Sequence, residues 1–225
     1  QGVSFDPVGS LIATQSADRS CKIYTISEHK SAQLQPRAEN QVPGTPEKSI
    51  AKPRRRKLKM ENVSTIKTFK IVDSKEFDGD YSGEDVKSFF RRCQWSPDGS
   101  CLITPCGRIS DSFASFMFVR GNFDAPYRTY TGTSKPSIGV RVCPFLFKRR
   151  KEAVPPELES PWKDFDFLPY RFLFAVLTID QILVYDSENP FPLHVFEDLH
   201  FAQLTDAAWY EKDFTFNNVL MNFKG

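Results

Sequence analysis

Nothing in this sequence marks a membrane span, a disulfide framework or a catalytic centre. No apolar run approaches the ~18 residues that a helix needs to cross a bilayer. The five cysteines are odd in number and irregular in spacing, which excludes a regular disulfide scaffold and fits a reducing compartment. Only three histidines are present, at 29, 194 and 200, and neither a glycine-rich phosphate loop nor a nucleophile elbow occurs. The chain is therefore not expected to be an enzyme or to carry a cofactor. A net charge of +2 supplies no global field toward nucleic acid or membrane, so any basic attraction must be local. No signal-peptide pattern is present, and the first residues already read as a strand. The chain is expected to be a portion of something longer.

What the sequence does contain is a duplication. Phe5-Asp6-Pro7-Val8-Gly9-Ser10-Leu11-Ile12-Ala13-Thr14 aligns without gaps on Trp95-Ser96-Pro97-Asp98-Gly99-Ser100-Cys101-Leu102-Ile103-Thr104. Proline presets φ at the second turn position and glycine takes a positive-φ position. The apolar residues on either side read as two antiparallel strands. A repeated strand–turn–strand unit points to a propeller blade, an architecture that builds binding surfaces more often than catalytic pockets. The 16 prolines suit such a turn-rich β protein, and 21 phenylalanines are a heavy load for its core.

Turns divide the rest into modules. Residues 1–26 and 65–72 are expected to form the first blade present, interrupted by a polar, proline-bearing, disordered basic insertion at 27–64. An acidic turn region covers 73–85. A second blade is expected at 86–131 and a third at 132–197 with an inserted loop at 148–161. A fourth begins at 198–209. Residues 210–225 lack the expected polar-glycine turn and second strand, and are read as an aberrant or truncated end. The run Phe172-Leu173-Phe174-Ala175-Val176-Leu177 fits a strand covered on both faces.

Spacing adds the repeat type. In WD repeats a histidine lies nine residues before the aromatic that ends the first strand. His200 stands so before Trp209, and Thr133 occupies the same place before Val142. Asp18 and Asp180 fall in the turn where that repeat type buries an aspartate against the histidine. All four are expected to be structural repeat positions.

Three clusters are candidates for chemistry. The run Arg54-Arg55-Arg56-Lys57-Leu58-Lys59 could act as a nuclear-import signal, could contact phosphate, or could be a solvated charge run. No aromatics interleave with it, which argues against single-strand binding. Cys93, Cys101 and Cys106 match no zinc spacing. With residues 96–99 as a four-residue turn, Cys93 opposes Leu102 and Cys101 opposes Gln94, so the two thiols point to opposite faces. Buried free thiols are expected. Phe89-Phe90-Arg91-Arg92 is the most individual motif. A blade strand accounts for the phenylalanines, whereas the arginines could sit at a blade edge against an acidic partner.

These motifs, taken together, carry a resemblance. Gly2–Gly9, Asp18-Arg19-Ser20, Lys87–Arg92 and Thr104-Pro105-Cys106-Gly107 resemble the family of the WD-repeat middle subunit of chromatin assembly factor one. Val140–Pro144, Leu168-Pro169-Tyr170-Arg171, Phe174-Ala175-Val176, Leu183–Asp186 and Leu204–Trp209 continue it in the same order. The HIRA/Hir-type histone chaperones are similar around Phe5–Ser20 and Trp95–Gly99, but Phe89–Arg92 and Leu168–Arg171 favour the first. The resemblance implies an all-β fold, a partial WD-repeat β-propeller with about three of seven blades in this chain. It implies a nuclear scaffold that joins the large and small subunits of the chromatin assembly complex, and that helps to deposit core histones during replication and repair. Neither a membrane partner nor direct sequence-specific DNA binding is implied. A generic WD adaptor, such as a ubiquitin-ligase substrate receptor, is the competing class.

Overall fold

The computed structural model describes residues 1–28, 58–70, 78–81, 86–150, 168–211 and 219–224. Among them every regular element is a β-strand, and adjacent strands within each sheet pair antiparallel. In the first sheet β1 (Gly2–Phe5), β2 (Leu11–Ser16), β3 (Ser20–Glu28) and β4 (Leu58–Ile66) lie in chain order. The second comprises β5 (Thr68–Lys70), β6 (Asp78–Tyr81), β7 (Gln94–Trp95), β8 (Cys101–Ile109), β9 (Ser112–Val119) and β10 (Arg128–Thr133). Its order is β10-β9-β8-β6-β5, with β7 also on β8. The third runs β11 (Gly139–Lys148), β12 (Tyr170–Leu177), β13 (Ile182–Asp186) and β14 (His194–Phe196), and the fourth is the hairpin of β15 (Asp206–Glu211) and β16 (Val219–Lys224).

The duplicated units adopt one geometry. Phe5 pairs with Ile12 as Trp95 pairs with Leu102. The Asp6 amide donates to the Leu11 carbonyl at 3.0 Å, and the Ser96 amide to that of Cys101 at 2.8 Å. Gly9 and Gly99 both hold positive φ, 80° and 75°, as the turn requires. The turn is longer than four residues: Gln94 faces Ile103 rather than Cys101. That shift is two residues, and side chains alternate with period two, so every face assignment survives it.

The first strands of successive sheets, β1, β7, β11 and β15, stand side by side. Arg92 and Gly139 form a parallel bridge between the second and third sheets. Gly2 permits the approach of the first to the second, because a Cβ there would lie 1.7 Å from the Arg91 carbonyl oxygen. Three apolar cores fill the seams. Leu11, Ala13 and Ile23 meet Trp95, Leu102 and Phe116; Ile103, Met117 and Tyr130 meet Val142, Phe174 and Tyr185; Ala175, Leu177 and Ile182 meet Leu204 and Ala207. Strand alternation drives this division: Cys101 and Ile103 enter the second core while Leu102 between them enters the first. The fold is an all-β partial propeller whose sheets stack face to face about their first strands.

Four expectations are corrected. The outer strand of the first sheet is β4, so residues 58–64, expected within a disordered insertion, pair with β3 from Glu28↔Leu58 to Cys21↔Ile66. Thr68–Lys70, expected in that outer strand, joins the second sheet instead. Alternation hid the true strand because Met60 and Val63 are exposed and no buried face patterns the sequence. Asp78–Tyr81, expected in a turn region, pairs with β8 and buries Tyr81. The second strand expected to be missing after Trp209 is β16, in register from Asp206↔Lys224 to Glu211↔Val219. Residues 29–57, 71–77, 82–85, 151–167, 212–218 and 225 lie outside the described residues.

Candidate partner-binding surface

A propeller offers two faces formed by its loops, and the Phe89–Arg92 segment lies on the face where chain enters the first strands. The Phe90 amide donates to Ser88 Oγ at 3.1 Å. From there the four side chains part. Arg91 is buried, its guanidinium on the Gln1 side-chain oxygen and beside the Cys106 thiol. Arg92 places its guanidinium 3.8 Å from the Phe90 ring centroid and donates to the Thr205 carbonyl. It also stands 3.5 Å from the Asp206 carboxylate, which Arg141 reaches at 2.6 Å. Phe90 packs on the third core with Val86 and Leu199.

The arginines are thus internal fasteners. Arg91 joins the second sheet to the first residue of the chain and Arg92 ties it to the fourth sheet, so both guanidiniums are engaged within the chain. Phe89 alone of the four is largely exposed, at 69 %. Phe201, in the loop that Arg92 holds through Thr205, is fully exposed as well. Two bare phenylalanines on loops pinned by one arginine are the apolar feature of this face.

The repeat positions are placed differently from expectation. Asp180 does not accept from a buried histidine. It accepts from Thr178 Oγ1 at 2.9 Å and pairs with Lys135, and its side chain is 41 % exposed. Burial pushes its pKa up, but Lys135 and Thr178 outweigh that and hold it below the ordinary value. Asp18 closes its own turn on the Ser20 hydroxyl and amide, at 2.7 and 3.1 Å, which lowers its pKa. Thr133 is half-buried in β10 where the register shifts, and its hydroxyl meets no hydrogen-bond partner among the described residues. His200 is exposed beside Phe201. Among the described residues, local turn bonds and a lysine pair hold Asp18 and Asp180, and no histidine does.

Of the basic run, Lys59 lies in β4 and pairs with Glu61 at 2.5 Å, while Arg54, Arg55, Arg56 and Lys57 fall outside the described residues. All five cysteines are buried, and none forms a disulfide. Cys93 enters the first core and Cys101 the second, so those two thiols do point to opposite faces. Burial pushes the Cys101 thiol up to about 12 and that of Cys106 to about 11.

The opposite face carries a feature that the duplication alone does not reveal. Phe5-Asp6-Pro7, Trp95-Ser96-Pro97 and Val142-Cys143-Pro144 repeat an apolar-x-Pro pattern, and the apolar residue and proline of each line a mouth of about 310 Å³ between the first strands. The third copy is legible in the sequence only once the match is relaxed to that pattern. The first two of these turns are each tied to the next sheet. Arg120 donates from the second sheet to Asp6 Oδ2 at 2.5 Å and to the Gly99 carbonyl at 2.9 Å. Tyr170 of the third sheet bonds the Asp98 carboxylate and lies 3.1 Å from the Ser100 hydroxyl.

Comparison with known proteins agrees with this architecture. Residues 1–216 match the family model described as the CAF1B/HIR1 beta-propeller domain. The chromatin assembly factor 1 subunit FAS2 homolog of Oryza sativa subsp. japonica is 31 % identical over 93 % of this chain and 38 % of its own length. A chromatin assembly factor 1 relative from Gallus gallus is 29 % identical over 93 % of this chain and 33 % of its own length. Protein HIR1 of Yarrowia lipolytica is 24 % identical over 93 % and 18 %. The chain thus spans well under half the length of these curated relatives. A matched family model over nearly the whole chain, on stacked antiparallel sheets with a shared repeat turn, establishes that this chain belongs to the CAF1B/HIR1 β-propeller family.

Proposed function

We propose that this chain is part of the propeller scaffold of a chromatin assembly complex of the CAF-1 type, acting in the nucleus by binding rather than by catalysis. In this reading the propeller joins the large and small subunits of the complex, which deposits newly made core histones on DNA during replication and repair. The observation that carries the reading is the higher identity to the chromatin assembly factor relatives than to the HIR1 relative, over the same share of the chain. The exposed Phe89 and Phe201, each on a loop held by Arg92, support a partner contact on that face, since aromatic side chains supply much of the energy at protein interfaces. Arg54–Lys59 serves nuclear import in this reading.

The test is affinity purification of the full-length protein from nuclei, with identification of what comes with it. A large subunit, a second WD-repeat subunit and core histones are expected, and the Phe89→Ala, Phe201→Ala double variant should recover less of at least one of them. Recovery of ubiquitin-ligase components in their place would overturn the reading.

A further inference from the structure

The third sheet holds a charged cluster away from the Phe89 and Phe201 loops. At the end of β11 the chain runs Phe147-Lys148-Arg149-Arg150, with Lys148, Arg149 and Arg150 all exposed. Arg171, paired with Phe147 across the strands, sets its guanidinium 5.2 Å from that ring centroid and donates to the Lys148 carbonyl at 3.1 Å. Beneath lies Asp186, its side chain fully buried at the end of β13, with Arg171 at 2.8 Å and Arg150 at 3.1 Å on one oxygen. Glu188 takes Arg149 at 3.2 Å and the Arg150 amide at 3.2 Å. Four cations thus stand over two carboxylates, an excess equal to the net charge of +2 of the entire chain.

We propose that this cluster is a docking site for an acidic segment of a partner protein that also carries an apolar side chain. The two carboxylates face inward and orient the guanidiniums, so a ligand need not order them, and pre-ordered arginines suit the planar recognition of carboxylates. Apolar surface adjoins the basic cluster: Leu146 is 38 % exposed on the same strand, and Phe191 60 % exposed on the loop that follows Asp186 and Glu188. Arginine and aromatic residues together are the composition of a protein interface. A nucleic-acid backbone fits less well. Affinity for a duplex rests on neutralising a row of phosphates. Here the cations occupy one corner of one sheet rather than a row, and apolar Leu146 and Phe191 adjoin them.

The test uses the full-length protein and a fluorescein-labelled peptide of repeated Glu-Glu-Leu, followed by anisotropy at low and at physiological salt, with a labelled DNA duplex in parallel. The wild type is expected to bind the peptide in preference to the duplex, more weakly as salt rises. Lys148→Glu, which leaves both carboxylates their arginines, should weaken the peptide about tenfold, the scale of one charged contact. Arg149→Glu with Arg150→Gln should abolish it, while Arg171 continues to pair Asp186 and keeps the sheet folded by circular dichroism. Absence of peptide binding to the wild type, preference for the duplex, or unchanged binding by folded Lys148→Glu would each overturn the proposal. None of these outcomes bears on the chromatin assembly reading, which the copurification decides separately.

Discussion

Removal of Arg120 tests the principle that joins neighbouring sheets. The Asp6 side chain is fully buried, and Arg120, 29 % exposed, supplies its only charged partner among the described residues, at 2.5 Å. Asp6 also accepts the amides of Gly9 and Ser10 at 2.5 and 2.9 Å, so Arg120→Ala leaves a buried carboxylate partly satisfied. Breaking a fully buried pair costs about 3–5 kcal/mol. The remaining amides and the partial exposure of Arg120 reduce this to about 2 kcal/mol, close to the cost of one charged hydrogen bond. For a chain of this size that lowers the melting temperature by about 4–8 °C.

The dependence on pH gives the effect a signature. Burial pushes the Asp6 pKa up, but Arg120 and the turn amides outweigh burial and leave it below 3.8. A carboxylate with a lowered folded pKa stabilises above its unfolded value, and that stability is lost as pH falls through the folded value. Urea unfolding of wild type and Arg120→Ala should therefore differ by about 2 kcal/mol at pH 7 and converge below the ordinary carboxylate range. In a double-mutant cycle with Asp6→Asn the coupling should vanish in acid in the same way. Equal stability at pH 7, or a difference that does not change with pH, would refute the claim that this pair ties the first sheet to the second.

Two further predictions concern the cores. A Cβ at Gly107 would lie 2.1 Å from the Phe116 ring and 2.8 Å from the Ala114 carbonyl, so Gly107→Ala should destabilise by about 1–3 kcal/mol, read as a shift in urea midpoint. Since all five thiols are buried and Cys101 is pushed up to about 12, a thiol-directed disulfide reagent at pH 8 should label none of them in the native protein and all of them in denaturant. Fast labelling of the native state would show that the seams between sheets open readily.

The repeat is legible in the sequence because its physics is local. Proline, glycine and flanking apolar residues specify a turn and the alternation of two strands, and these need no distant contact. Even a two-residue error in turn length leaves Cys93 and Cys101 on their correct faces, because the side-chain period is two. Residues 58–64 of β4 are not legible as strand, because with Met60 and Val63 exposed they carry no burial pattern. Tyr81 hides in an acidic stretch whose only apolar anchor it is among the described residues, so that β6 looks like a turn.

The candidate site divides in the same way. Phe89-Phe90-Arg91-Arg92 stands out as a motif, yet composition cannot tell exposed Phe89 from buried Arg91 two positions on. Their fates are set by neighbours far along the chain, Gln1 for Arg91 and Thr205 with Asp206 for Arg92. Likewise Asp18 and Asp180 fall at the positions where WD repeats bury an aspartate, but nearby hydroxyls and Lys135 take their oxygens before any histidine does.

By itself, then, the sequence determined the β class, the repeated turn and which residues share a face, since φ preferences and alternation act over a few residues. Only the tertiary structure decided which arginine meets which carboxylate: Arg120 on Asp6, Arg92 on Asp206, Arg150 and Arg171 on Asp186. The physical reason is that a long charged side chain finds its partner by where the sheets stack. The stacking that brings Arg120 to Asp6 or Arg92 to Asp206 is set by the apolar seams as a whole, whose residues come from distant parts of the chain.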